Sequence, residues 1–127
     1  MRILTSLCVA VLGLSPFAAM AQETGVMTGL ADASGAQLRG LDKINGIASD
    51  IALKTGQSVT YGTLEVTLDQ CRYPSDDPSS NAFAHLTIHD NQTDKTAFSG
   101  WMIASSPALS ALDNQRYDVW VIRCTNS

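Results

Sequence analysis

Basic residues are few and never clustered in this chain: eight Lys and Arg stand against twelve Asp and Glu, for a formal net charge of −4. Nucleic acid and anionic lipid both need grouped cations, so neither is expected as a partner. Histidine is rarer still, with two, and the three cysteines include no Cys-x-x-Cys pair. Metal centres draw on closely spaced ligands of these types, so no metal is expected. Nothing in the chain calls for a cofactor. A Gly-x-Ser-x-Gly elbow is missing as well, which removes a leading hydrolase signature. There are no repeats and no heptads, and past residue 21 no apolar run is long enough to cross a bilayer.

What is present begins at the N-terminus. Arg2 precedes an almost wholly apolar run from Ile3 to Ala19, closed by Ala19-Met20-Ala21. A positive start, an apolar stretch and a small-x-small close make a cleavable export signal over residues 1–21, cut between Ala21 and Gln22. A membrane anchor is the rival reading, but Pro16 interrupts the run and no stop-transfer charges follow. Cys8 lies inside the run after Ser6-Leu7, where a lipid-anchoring cysteine does not belong. The mature chain is expected in the periplasm, with about 100 residues, enough for one domain.

Cleavage discards Cys8 and leaves Cys71 and Cys124, and two thiols in an oxidising compartment pair. Closing a loop of roughly 50 residues contributes roughly 4 kcal/mol on the chain-entropy model. That is a large share of a small domain's typical ~5–15 kcal/mol.

Residues 22–40 carry Gly25, Gly29 and Gly35 among scattered polar residues and read as a flexible leader, either a mobile tail or a partner-binding arm. The β domain is expected over 41–127. Ile51 and Leu53 alternate with Asp50, Ala52 and Lys54; Thr55-Gly56-Gln57 turns; Ser58 to Tyr61 starts a strand and Gly62 bends it. Leu64, Val66 and Leu68 alternate strictly with Glu65, Thr67 and Asp69 on the way to Cys71. The stretch Pro74–Asn81 is a loop, Ala82–His89 a strand with Ala84, Leu86 and Ile88 on one side, Asp90–Asp94 a turn, and Ala97–Ile103 another strand. Ser105-Ser106-Pro107 is a helix-start pattern, which places a short helix over Pro107–Leu112. Tyr117–Cys124 is the last strand. The sum is mainly β: about five or six short strands in a small antiparallel β-sandwich or partly closed barrel, with one short helix and one disulfide.

In the second half the residues become distinctive. Phe98-Ser99-Gly100-Trp101-Met102, Ala104-Ser105-Ser106-Pro107 and Tyr117-Asp118-Val119-Trp120-Val121 with Cys124 resemble the family known as domain of unknown function 2155. Leu41-Asp42-Lys43, Gly62-Thr63-Leu64, Cys71 and Ala82-Phe83 match its front half, so the resemblance covers roughly residues 41–125. It implies a short exported alphaproteobacterial protein with two cysteines and no established activity. It also implies an association with respiratory NADH:quinone oxidoreductase, hence an inner-membrane complex as partner. One departure stands out: the family pattern has a His-Pro pair ahead of the final Tyr, where this chain reads Asn114-Gln115-Arg116.

The remaining candidates are weak as chemistry. His85 and His89 share a strand face, but four residues at about 3.3 Å each hold them roughly 13 Å apart, too far to share a metal. Asp90–Asp94 lacks the glycine and glutamate of a calcium loop. Asp42 with Lys43, and Asp118 with Arg116, are candidate surface ion pairs worth ~0–1 kcal/mol. No catalytic constellation emerges, so an enzyme is not expected. Tyr117, Val119 and Val121 face one way and Trp120 and Ile122 the other, so the last strand is apolar on both sides. Either the short helix covers the second side, or Trp101, Met102, Tyr117 and Trp120 form a protein-docking patch. The expectation is a non-enzymatic periplasmic interaction module. The alternative is a small envelope hydrolase or sugar-binding domain, for which no polar cluster around a Trp is visible in the sequence.

Overall fold

The computed structural model describes residues 29–126. The expected export signal, its expected cleavage point at Ala21 and Gln22, and the front of the expected leader lie outside the described residues. Eight strands form: β1 (Leu30–Asp32), β2 (Gly35–Asp42), β3 (Ile47–Lys54), β4 (Ser58–Tyr61), β5 (Leu64–Pro74), β6 (Phe83–Asp90), β7 (Lys95–Ile103) and β8 (Tyr117–Thr125). One sheet runs β1-β5-β6-β7, with β4 also pairing β5; the other runs β3-β2-β8. Every pairing is antiparallel. The two sheets face each other as an open sandwich, so of the two expected architectures the sandwich is the one that forms.

The alternation read from the sequence puts the core where expected. Leu64, Val66, Leu68, Ala84, Leu86, Ile88 and Met102 come from the first sheet, and Ala36, Leu38, Ile51, Leu53, Val119 and Val121 from the second; all are buried. Burying a Leu or Ile side chain fully is worth about 1.5–3 kcal/mol, so this inner layer is what holds the sheets together.

β1 lies inside the expected leader and β2 starts within it, which corrects that expectation: among the described residues, strand structure is already present from Leu30. β1 pairs Tyr73 and its neighbours at the far end of β5, and β2 is the central strand of the second sheet. The inward side of β2 is Ala36, Leu38 and Gly40, whose small residues give a faint apolar signal. Gly40 is small for a reason, since a Cβ there would lie 2.6 Å from the Tyr61 ring.

The disulfide depends on two bulges. Leu68 and Cys71 are three apart, as are Val121 and Cys124, so strict alternation would put each cysteine on the wrong face. Register shifts occur between Leu68 and Gln70 in β5, and opposite Gln37 and Leu38, where β8 takes up Ile122. Each extra residue flips the phase and returns the cysteine to the inner face. Cys71 and Cys124 are joined there, Cα–Cα 5.8 Å apart, and tie the first sheet to the second.

The expected helix is a single 3-10 turn, Pro107–Ser110, with none of its residues buried. Ser106 makes no side-chain capping bond, and Ala111 already has extended backbone, so the chain leaves the turn for β8. Leu112 is buried, whereas Leu109 is 73% exposed, so the two do not share a covered face.

Candidate functional site

The four aromatic and Met residues expected to form one patch are divided by the fold. Met102 is 2% exposed and Tyr117 7% exposed, both in the core. Trp101 follows its strand neighbour onto the opposite, outer face of the first sheet, and Trp120 is carried on the second sheet by β8. Strand alternation forces this separation, since adjacent residues point to opposite faces. Two surfaces and one end of the sandwich therefore replace a single patch.

The first surface lies beside β8. A hollow of about 370 Å³ is lined by Pro107, Ala108, Ala111, Asp118, Val119 and Trp120. Three consecutive residues of a strand cannot all point to one face, so a hollow lined by Asp118, Val119 and Trp120 runs along the strand's edge. β8 pairs β2 on one side and, among the described residues, no strand on the other. The wall opposite is the 3-10 turn and Ala111. The turn thus stops short of covering Trp120 and frames an apolar groove along an open strand edge.

The second surface is the outer face of the first sheet. The bulge in β5 turns both Asp69 and Gln70 outward, beside β6 and β7. Gln70, His85 and Trp101 are register partners across three strands. Asp69 Oδ2 lies 2.8 Å from His85 Nδ1 and accepts a hydrogen bond from Thr87 Oγ1 at 2.7 Å. A carboxylate can only accept, so Nδ1 carries a proton, and Nε2 is left as an acceptor when the ring is neutral. The His85 and Trp101 rings meet edge to face at 5.1 Å, and the Arg72 guanidinium lies 5.7 Å from the Trp101 ring centre. Arg72 Nε in turn donates to Asp32 Oδ1 at 3.0 Å. Sequence spacing pointed to none of this, because it depends on a one-residue bulge and on cross-strand register.

One end of the sandwich is closed by an aromatic and charged group. Arg116 grips Asp42 through Nε at 3.2 Å to each oxygen and Nη2 at 2.8 Å, replacing the expected Asp118–Arg116 and Asp42–Lys43 pairs. Lys43 Nζ donates instead to the Asn114 carbonyl at 2.6 Å. The Arg116 hydrogen bonds hold the Asp42 carboxyl below its ordinary range, against the opposing effect of burial. The same pairing raises Arg116. Tyr61 is raised by burial first and by the Asp42 charge second. Tyr61 and Tyr117 pack edge to face at 5.2 Å. Asn114 Oδ1 accepts from the backbone N–H of both Arg116 and Tyr117 at 2.9 Å, so it shapes the turn into β8.

His85 and His89 each face their own carboxylate, Asp69 and Asp94. Among the described residues, no three His, Cys, Asp or Glu side chains are grouped to hold a metal ion. No helix among them is long and apolar enough to cross a membrane.

A family model described as "Uncharacterized protein conserved in bacteria (DUF2155)" matches residues 36–124, from the start of β2 to the second disulfide cysteine. An uncharacterized protein of Rickettsia prowazekii (strain Madrid E) is 28% identical over 87 residues, 66% of this chain and 56% of the relative. The chain thus spans little more than half the length of that relative. No solved structure matches the chain.

Proposed function

The chain belongs to the bacterial DUF2155 family, and from that membership and the groove beside Trp120 we propose a non-enzymatic, exported interaction module that docks a protein partner. The observation that carries this reading is the apolar groove along the open edge of β8. An edge strand offers a row of unpaired backbone N–H and C=O groups, and an extended segment can add to it as a further strand. The groove supplies an apolar socket at Trp120, Val119, Ala108 and Ala111, with Asp118 as its only charged lining residue. The partner segment is therefore extended, with one apolar anchor next to a Lys or Arg.

The periplasm is the proposed compartment. Arg2 and the apolar run to Ala21 support export, and a Cys71–Cys124 bridge belongs to an oxidising environment. The association with respiratory NADH:quinone oxidoreductase that the family resemblance implies makes that inner-membrane complex the first partner to test.

Affinity purification of the tagged protein from solubilised inner membrane, beside an Ala111→Arg variant, tests this. Ala111 is exposed on the groove wall, so the bulky cation blocks the socket without disturbing the core. Subunits of the complex should be recovered stoichiometrically with the natural protein and lost with Ala111→Arg. Recovery that is equal for both, or absent for both, contradicts the reading.

A further inference from the structure

We propose that the outer face of the first sheet is a saccharide-binding site, with Trp101 as the platform and Gln70, His85 and Asp69 as the polar contacts. This face is separate from the β8 groove, and the inference does not rest on that docking reading.

Consider what the cluster offers. Trp101 is half-buried, so its indole is held in place while part of it meets solvent. An immobilised indole is a large apolar surface that orders at little entropic expense. Beside it, a hollow of about 270 Å³ is lined by Asp69, Gln70, His85 and Trp101. A second, of about 290 Å³, is lined by Asp32, Ala33, Thr55, Asp69, Gln70 and Cys71. Asp69 and Gln70 line both, so the two hollows adjoin at these residues.

The polar groups are of mixed kind. The Gln70 amide both donates and accepts, His85 accepts at Nε2 when neutral, and Arg72 donates. Asp69 is already engaged through Oδ2 with His85 and Thr87, which fixes the imidazole in the plane those bonds dictate. Sugar hydroxyls donate and accept at once, and the C–H face of a pyranose ring is apolar. A rigid indole with donors and acceptors beside it on neighbouring strands matches both properties.

Other ligand classes fit less well. An anion would meet the Asp69 carboxylate, which lines both hollows. A cation seeking the indole would be repelled by the Arg72 guanidinium, whose centre stands 5.7 Å from the ring centre. A metal ion would find one imidazole nitrogen and no second histidine, because His89 is turned to Asp94. A neutral polyhydroxyl ligand meets none of these objections.

The test is titration of the ¹⁵N-labelled full chain with chitotriose, cellotriose and maltotriose, and separately with adenosine, followed by proton–nitrogen spectra. At least one trisaccharide should shift the Trp101 indole N–H and the Gln70 amide saturably, leaving the Trp120 indole unmoved. Gln70→Ala, at an exposed position that leaves the fold intact, should weaken that binding at least tenfold, as should Trp101→Ala. Trp120→Ala should leave it unchanged. The inference is overturned if no trisaccharide moves the Trp101 indole at millimolar concentration, if binding survives Gln70→Ala and Trp101→Ala, or if adenosine alone binds.

Discussion

Replacing Cys71 and Cys124 together with alanine should cost the fold much of its stability, and the size of the loss follows from where the bridge lies. The two residues are 53 positions apart in sequence. Closing a loop of that length removes roughly 4 kcal/mol of unfolded-state entropy at 25 °C on the chain-entropy model. The bridge joins β5 to β8 and so fastens one sheet to the other, and the long-range contacts between the sheets benefit directly from the smaller unfolded ensemble. For a domain of about 100 residues, each kcal/mol moves the midpoint by about 4–8 °C, so the double variant should melt roughly 15–30 °C lower. Urea unfolding of the oxidised protein, the double variant and the natural protein under reductant provides the comparison. The slope against urea should also rise in the last two, because an unbridged unfolded chain exposes more surface. A loss below about 1 kcal/mol would refute the reasoning and mean that the sheets hold each other without help from the bridge.

Glycine 62 offers a second test of packing: its φ is +61°, and a Cβ there would stand 2.2 Å from Cζ of Tyr117. Gly62→Ala should therefore destabilise well beyond the ~1–2 kcal/mol of left-handed backbone strain, whereas Gly46→Ala, with φ +77° and nothing within 4 Å, should cost only that strain; thermal unfolding of the two variants decides. The Asp42–Arg116 pair should make stability fall with acid. Because Asp42 titrates lower when folded than its unfolded value of about 3.9, its contribution is complete above that pH and disappears as the pH drops through the folded value. Unfolding free energies of the natural protein and Asp42→Asn, measured from pH 6 down to pH 3, should converge toward the acid end; parallel curves would contradict the assignment. In the first sheet, Leu86→Ala should cost about 2–5 kcal/mol, since Leu86 is fully buried between the layers.

Side-chain alternation made much of the fold readable. Leu64, Val66 and Leu68, and likewise Ala84, Leu86 and Ile88, announce an inner face because apolar and polar residues trade places at every step. The same rule was silent for Gly35–Asp42, where glycine and alanine on the inner side give no contrast even though that strand is the centre of a sheet. The short helix misled for another reason: Ser106 and Pro107 satisfy the local preferences for a helix start, but the chain must leave for β8 after one turn. Alternation also separates Trp101 from Met102, yet it does not say which of them faces inward until the opposing sheet is placed. The cluster of Asp69, His85 and Trp101 was out of reach altogether. Its members come from three strands, and a bulge decides that Asp69 and Gln70 share a face. The number of cysteines marks Cys71 and Cys124 as a pair, while the bulges that aim them at each other leave no mark in composition.

A photoreactive amino acid at Ala108, on the wall of the β8 groove, puts the docking reading to its most direct trial in intact cells. The predicted result is a single dominant adduct with a subunit of an inner-membrane complex, joined through an extended peptide that carries an apolar residue next to Lys or Arg. It should disappear in the Ala111→Arg background and be missing when the same group is placed at Asp50 on β3. Equal adducts from positions 108 and 50, or an adduct at 108 indifferent to Ala111→Arg, would show that the open edge of β8 is not where this protein meets its partner.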